Sequence, residues 1–239
     1  MTNKLKKRLM KFNGGWNFLS SFLLLRYSSW NTRRLEGGLR KISVGKLHVG
    51  CGDIVLPDWV NIRFERREEY GAVKRRSGGF YLNYNLLQRW PWPDGSIEYI
   101  AGSHFIEHLD LNQGMKFLGE AFRVMKKGGV IRLSCPDMEI YARHYVAGNK
   151  NFFEHPLIRE WCAFKKAATP GEIFIAKAYD SGGSHRWFYD FASLKHVLEE
   201  AGFRQVTREE RLTGKVPDLE KIEPPKRELE TLYVEAVKE

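Results

Sequence analysis

The short apolar stretch Lys46–Val49, running directly into Gly50-Cys51-Gly52, constrains this chain more than any other feature. Four such residues stopped by glycine read as a buried strand. Glycine after a strand lets the backbone turn sharply and approach a ligand, because no side chain stands in the way. The rhythm recurs downstream. Residues 59–62 follow the turn at Pro57-Asp58, residues 80–83 form a weaker strand, and residues 97–101 are introduced by Pro93-Asp94-Gly95. Between them, residues 63–79 read as a charged loop with at most a short helix. Met115, Leu118, Ala121, Phe122 and Met125 recur at three- and four-residue spacings. This predicts a helix with Lys126 and Lys127 in its last turn and Gly128-Gly129 as its stop. A strand over 130–134 ends at Pro136, a helix over 192–201 is stopped by Gly202, and strands over 203–207 and Thr231–Val237 close the chain. Residues 137–180 carry two helical stretches and read as an insertion over the sheet's carboxyl edge, where ligands bind in such folds. A long loop with Pro217, Pro224 and Pro225 separates the last two strands. Strand and helix alternating with short connections predict an α/β fold, an open and largely parallel sheet covered on both faces.

Charge divides the chain. Residues 1–46 hold eleven Lys/Arg and one acid, Glu36, whereas the remainder holds 28 basic and 28 acidic residues. The whole +10 surplus therefore sits in residues 1–46, that is on the N-terminal extension, residues 1–45, and on the first residue of a body, residues 46–239, that is otherwise formally neutral. Such an arm points to an anionic partner. Its apolar cluster at 18–25, between Trp16 and Trp30, is shorter than the about 20 residues a membrane span needs. Two readings stay open: an interfacial segment in which residues 1–30 meet an anionic membrane, and a helix packed on the body with a solvated basic face. Cys51, Cys135 and Cys162 are odd in number and lack a CxxC pair, which favours a reducing cytosol over a disulfide framework or zinc site.

Several segments then match one pattern in chain order. Leu47-His48-Val49-Gly50-Cys51-Gly52-Asp53 is followed by Leu56-Pro57-Asp58-Trp59-Val60-Asn61 and by Trp92-Pro93-Asp94-Gly95-Ser96-Ile97-Glu98. Next come Ser103-His104-Phe105-Ile106-Glu107-His108-Leu109, Arg123 through Arg132, Pro136-Asp137 and His185-Arg186-Trp187-Phe188-Tyr189. The series resembles the small class I S-adenosylmethionine (SAM)-dependent methyltransferases associated with glycan and cell-surface polysaccharide assembly. The resemblance implies a Rossmann-like sheet with an antiparallel final strand, SAM as cofactor, and a sugar hydroxyl or related glycan intermediate as acceptor. It implies that Gly50, Cys51 and Gly52 wrap the methionine portion of SAM, and that Ser103 and His104 face the methyl group.

The departures are specific. His48 stands where these enzymes usually carry an acid, and Ile54 replaces the third glycine. Arg63 occupies the place of the ribose-binding carboxylate, with Glu65 two residues on as its substitute. Asn85 replaces the acid that meets the adenine amino group and can still accept through its carbonyl. The cofactor-binding set is thus His48, Gly50, Cys51, Gly52, Glu65, Asn85 and Ser103. For a hydroxyl acceptor, His104 or His185 is the candidate base, since imidazole titrates near neutrality. Glu107 and Asp110 with His104 and His108 could suggest a metal, but the stretch is explained by the motif and no metal site is expected. Asp137 reads as a helix N-cap. Alternatives are a methyltransferase acting on RNA or a small metabolite, nucleic acid being the lesser partner, and a methyltransferase-like binding protein with a degenerate SAM site.

Overall fold

The computed structural model describes residues 45–63, 73–76, 78–162, 164–179 and 185–239. The expectations for the N-terminal extension and for Glu65 lie outside these residues. Eight strands form one sheet: β1 Lys46–Val49, β2 Val60–Arg63, β3 Val73–Arg76, β4 Gly79–Asn83, β5 Ile97–Ser103, β6 Met125–Pro136, β7 Arg204–Glu209 and β8 Thr231–Val237. Their order is β3-β4-β2-β1-β5-β6-β8-β7. The five strands β4-β2-β1-β5-β6 are parallel; β3 joins one edge antiparallel, and β8 runs antiparallel to both β6 and β7. This is the Rossmann-like class I methyltransferase sheet that the resemblance implies, antiparallel final strand included. The edge strand β3 is the difference, since the sequence reading took 63–79 for a loop. Its residues, Val73-Lys74-Arg75-Arg76, give almost no apolar alternation to read.

One face of the sheet is apolar. Leu47 and Val49 of β1, Ile131 and Leu133 of β6, and Leu232 and Val234 of β8 belong to the main core. Two helices cover it, α1 Leu111–Val124 and α6 Phe191–Glu200. Capping boxes set their starts: Asp110 with Gln113, and Asp190 with Ser193. The expected end of α1 shifts. The helix stops at Val124, and Lys126, Lys127 and Gly128-Gly129 belong to β6. The last carbonyls of α1 find a distant donor instead, because Lys238 Nζ donates to Phe122 O at 2.6 Å and to Met125 O at 2.8 Å.

The opposite face mixes apolar and polar groups. His48 Nδ1–H donates to Asn61 Oδ1 at 3.1 Å, and Asn61 in turn binds Leu56 O, Trp59 O and Phe80 O through Nδ2. Asn61 therefore closes the Leu56–Trp59 turn against β2 and β4. Arg132, 1% exposed, forks onto Glu223, also 1% exposed, at 2.7 and 3.1 Å. Its remaining N–H groups reach Thr213 O and Glu210 O. The segment so held includes the short helix α7 Leu219–Ile222 and a 3-10 turn at Pro225–Glu230, where the sequence suggested only loop.

Four helices, rather than two stretches, make up the expected insertion: α2 Met138–Val146, α3 Lys150–Glu154, α4 Pro156–Trp161 and α5 Pro170–Ala178. Asp137 caps α2, as the sequence indicated. Tyr141, Phe152, Phe153 and Ile173 give the insertion its own core. Glu230 ties it to the body, since it accepts from the Tyr141 hydroxyl and pairs with Lys177 at 2.9 Å. Among the described residues, no helix is long and apolar enough to cross a membrane.

Two stability outcomes follow from the polar face. Glu223→Ala takes the forked partner from the buried Arg132, leaving Glu235 at 3.8 Å, and should cost about 3 kcal/mol in urea denaturation, whereas the double variant Arg132→Met/Glu223→Leu should recover part of it. Burial lowers the His48 pKa from 6.5 to about 4, against the opposing bond to Asn61. The unfolded state then binds the proton first, so stability falls as pH drops from 6.5 towards 4. Wild type should lose about 3 kcal/mol more than His48→Gln across that window.

Candidate functional site

The chain moves from β1 to β2 and β4 on one side, then crosses back to β5 and β6 on the other. The reversal opens a crevice at the carboxyl ends of β1 and β5, the place where open α/β sheets hold ligands. Gly50-Cys51-Gly52 stands there. Gly50 and Gly52 both have positive φ, +64° and +54°. A Cβ on Gly50 would meet the Phe105 ring at 2.6 Å, whereas one on Gly52 would meet nothing within 4 Å. Gly50 is therefore needed for packing, and Gly52 faces open space. Cys51, 3% exposed, keeps the turn on β2 through its N–H to Ile62 O at 3.1 Å.

Arg63 at the end of β2 donates to Asp53 Oδ1 at 2.9 Å and to Gly52 O at 3.3 Å. It thereby holds the exposed Asp53 carboxylate beside the glycine turn. Asn85 sits beyond β4, and its Oδ1 accepts from Leu87 N at 3.0 Å. Ser103 ends β5, where its Oγ accepts from the Ser134 hydroxyl at 3.1 Å. The crevice thus gathers Gly50, Cys51, Gly52 and Ser103. His48 lies apart from it, enclosed with Asn61 and Trp59 on the polar face of the sheet.

His104 follows β5 in a left-handed conformation, φ +50°. Its tautomer follows from its neighbours. The Thr231 hydroxyl donates to Arg227 O at 2.6 Å, so Thr231 Oγ1 accepts the His104 Nε2–H at 2.9 Å. His104 Nδ1 then carries a lone pair and accepts from Arg227 at 2.9 Å. Both ring nitrogens are engaged. Arg227 also stacks on Trp161, 4.0 Å from the ring centroid. Neither Arg227 nor Thr231 was singled out in the sequence, and a basic residue after Pro224-Pro225 is too common to signal such a role.

The turn Ile106–His108 brings a second group together. Glu107 is 1% exposed, and its Oε1 lies 3.3 Å from His104 Nδ1. Burial raises its pKa, but the imidazoles that face it, His104 first and then His108 and His185, hold the carboxyl below its ordinary value. His185 donates from Nδ1 to Lys177 O at 3.1 Å, and burial lowers its pKa as well. Asp110, grouped with these residues in the sequence, is occupied in capping α1.

No family model matches the chain, and no curated protein matches it. Solved structures with a similar outline include SAM-dependent methyltransferases. One from Thermotoga maritima is 18% identical over 94% of this chain and 99% of its own, with a TM-score of 0.48. Another from Archaeoglobus fulgidus is 17% identical over 87% and 94%, with a TM-score of 0.46. The phosphoethanolamine N-methyltransferase 2 of Haemonchus contortus, in complex with S-adenosyl-L-methionine, is 11% identical over 81% of this chain and 48% of its own, TM-score 0.46.

Proposed function

We propose that this chain is a SAM-dependent methyltransferase whose acceptor is a sugar hydroxyl or a related glycan intermediate. The observation that carries the first part is the open, positive-φ glycine turn at the crevice where the strand order reverses. The sugar acceptor rests on the resemblance of the spaced motifs. Backbone at Gly50, Cys51 and Gly52 approaches the methionine portion, and Ser103 lies on the methyl side. Asn85, just beyond β4, stands in the place of the adenine contact. The ribose hydroxyls need a carboxylate that accepts hydrogen bonds. Asp53, steered by Arg63, offers one at this edge, and Glu65 is the other candidate. His48 acts on the cofactor only through the sheet, as a buried support for β1 and β2.

Methyl transfer requires the acceptor in line with the sulfonium, and positioning supplies much of the rate. With both ring nitrogens bonded, His104 is a positioning residue rather than a base, which leaves His185 as the other histidine weighed for that role. The basic extension adds peripheral attachment to anionic membrane on the cytoplasmic side, where a lipid-linked acceptor would be met.

Calorimetry with SAM and S-adenosylhomocysteine tests the cofactor. Wild type should bind both, and Gly52→Val should abolish binding while circular dichroism keeps the folded signal. A methyltransferase-like binding protein would show no heat with either ligand. Asp53→Asn and Glu65→Gln should differ, with a loss of about 1–3 kcal/mol in whichever supplies the ribose contact. Separately, the full chain should sediment with anionic liposomes and lose this on removal of residues 1–30, SAM binding persisting. An arm that binds RNA would instead show a steep salt dependence and no preference for lipid.

A further inference from the structure

Glu107 has no part in the proposed methyl transfer, yet it is among the most deeply buried charged groups. Neither of its carboxylate oxygens has a hydrogen-bond partner. A carboxylate taken from water is stable inside a protein only when a donor or a cation faces it. His104 supplies no donor in this arrangement, because the Nδ1 facing Glu107 carries the lone pair that accepts from Arg227. What does face it is a pair of imidazoles. Ligating atoms of Glu107, His108 and His185 all lie within 4.8 Å of one another. The rings of His108 and His185 meet edge to face, centroids 4.9 Å apart. The Nδ1–H of His185 is spent on Lys177 O, which leaves Nε2 as its ligating atom. A ring held by a backbone carbonyl in this way is the usual support of a metal-binding histidine.

We infer that Glu107, His108 and His185 bind one divalent transition-metal ion, with zinc the best match. Two imidazoles and one carboxylate suit zinc or iron, whereas magnesium and calcium prefer shells of oxygen alone. Three protein ligands leave a fourth position for water or an acceptor oxygen, which is the pattern of catalytic rather than structural zinc. His108, the half-buried member, marks the side from which the ion is reached. No metal was expected at Glu107-His108 because the motif already explained that stretch, and Asp110 and His104 rather than His185 were grouped with it. His185 arrives from a distant segment, pinned where Arg186 N and Trp187 N donate to Glu107 O at 2.8 and 3.2 Å.

The site stands independently of SAM, and so does its test. The full chain is freed of metal by chelation and titrated with Zn²⁺ and Co²⁺ in the absence of SAM. Calorimetry should find one zinc equivalent per chain. Cobalt should give the visible bands of a four-coordinate nitrogen–oxygen site, without the sulfur-to-cobalt band that a cysteine would produce. Glu107→Gln and His185→Gln should each weaken zinc binding by about 100-fold or more. His108→Gln, at the half-buried position, should do the same with the fold least disturbed, and the exposed His196→Gln should leave affinity unchanged. Circular dichroism verifies that each variant is folded. No stoichiometric zinc binding by wild type, equal affinity in wild type and His108→Gln, or a sulfur-to-cobalt band would each overturn the proposal.

Discussion

The buried fork between Arg132 and Glu223 is the interaction on which the functional half of the molecule depends. A guanidinium at the centre of a sheet has to find every partner without water, and here the chain between β7 and β8 supplies them. Because that segment is pinned, Arg227 and Thr231 stand at fixed distances from His104. Because Glu230 lies on the same segment, the insertion is anchored through Lys177 and Tyr141. The carbonyl of Lys177 then orients His185. One buried ion pair on the far face of the sheet thus reaches, bond by bond, the histidines at its carboxyl edge.

The elements read well from the sequence are those whose burial follows a period. Thr231–Val237 is β-rich and largely apolar, so its ends were evident, and Gly202 marked the end of α6. One element missed outright, β3, is an edge strand of three basic residues after Val73 that leaves almost no hydrophobic trace. The misplaced end of α1 has a different cause. Gly128-Gly129 looked like a helix stop, yet Gly128 N donates to Lys238 O and Lys238 N to Gly129 O, so the two glycines pair with the end of the chain. A contact between residues so far apart cannot be read from a local window.

The site was legible in proportion to how much of it is backbone. Gly50 and Gly52 announce themselves, because a turn with positive φ at a strand end has few sequence solutions. Side-chain roles were harder. His48 occupies a motif position but faces the sheet's interior, because strand residues alternate and Leu47 and Val49 claim the opposite face. Its partner Asn61 was quoted as part of the pattern, and its hydrogen bonds to three carbonyls give that asparagine a structural reason. Arg227, which governs His104, lies in a stretch that read as loop.

The two histidines weighed for proton removal illustrate why residue type and motif position do not assign chemistry. A base needs an exposed lone pair aimed at the proton it takes. His104 has the expected place at the end of β5, but its one lone pair is spent on a guanidinium. His185 has its proton on Nδ1 and its lone pair on Nε2, turned towards Glu107 and His108. The same hydrogen bond that denies His104 a basic nitrogen also leaves Glu107 without a donor. The vacancy at one residue and the saturation at the other are a single fact of the Arg227 placement. Any group that takes up the Glu107 charge must therefore come from the His108 and His185 side.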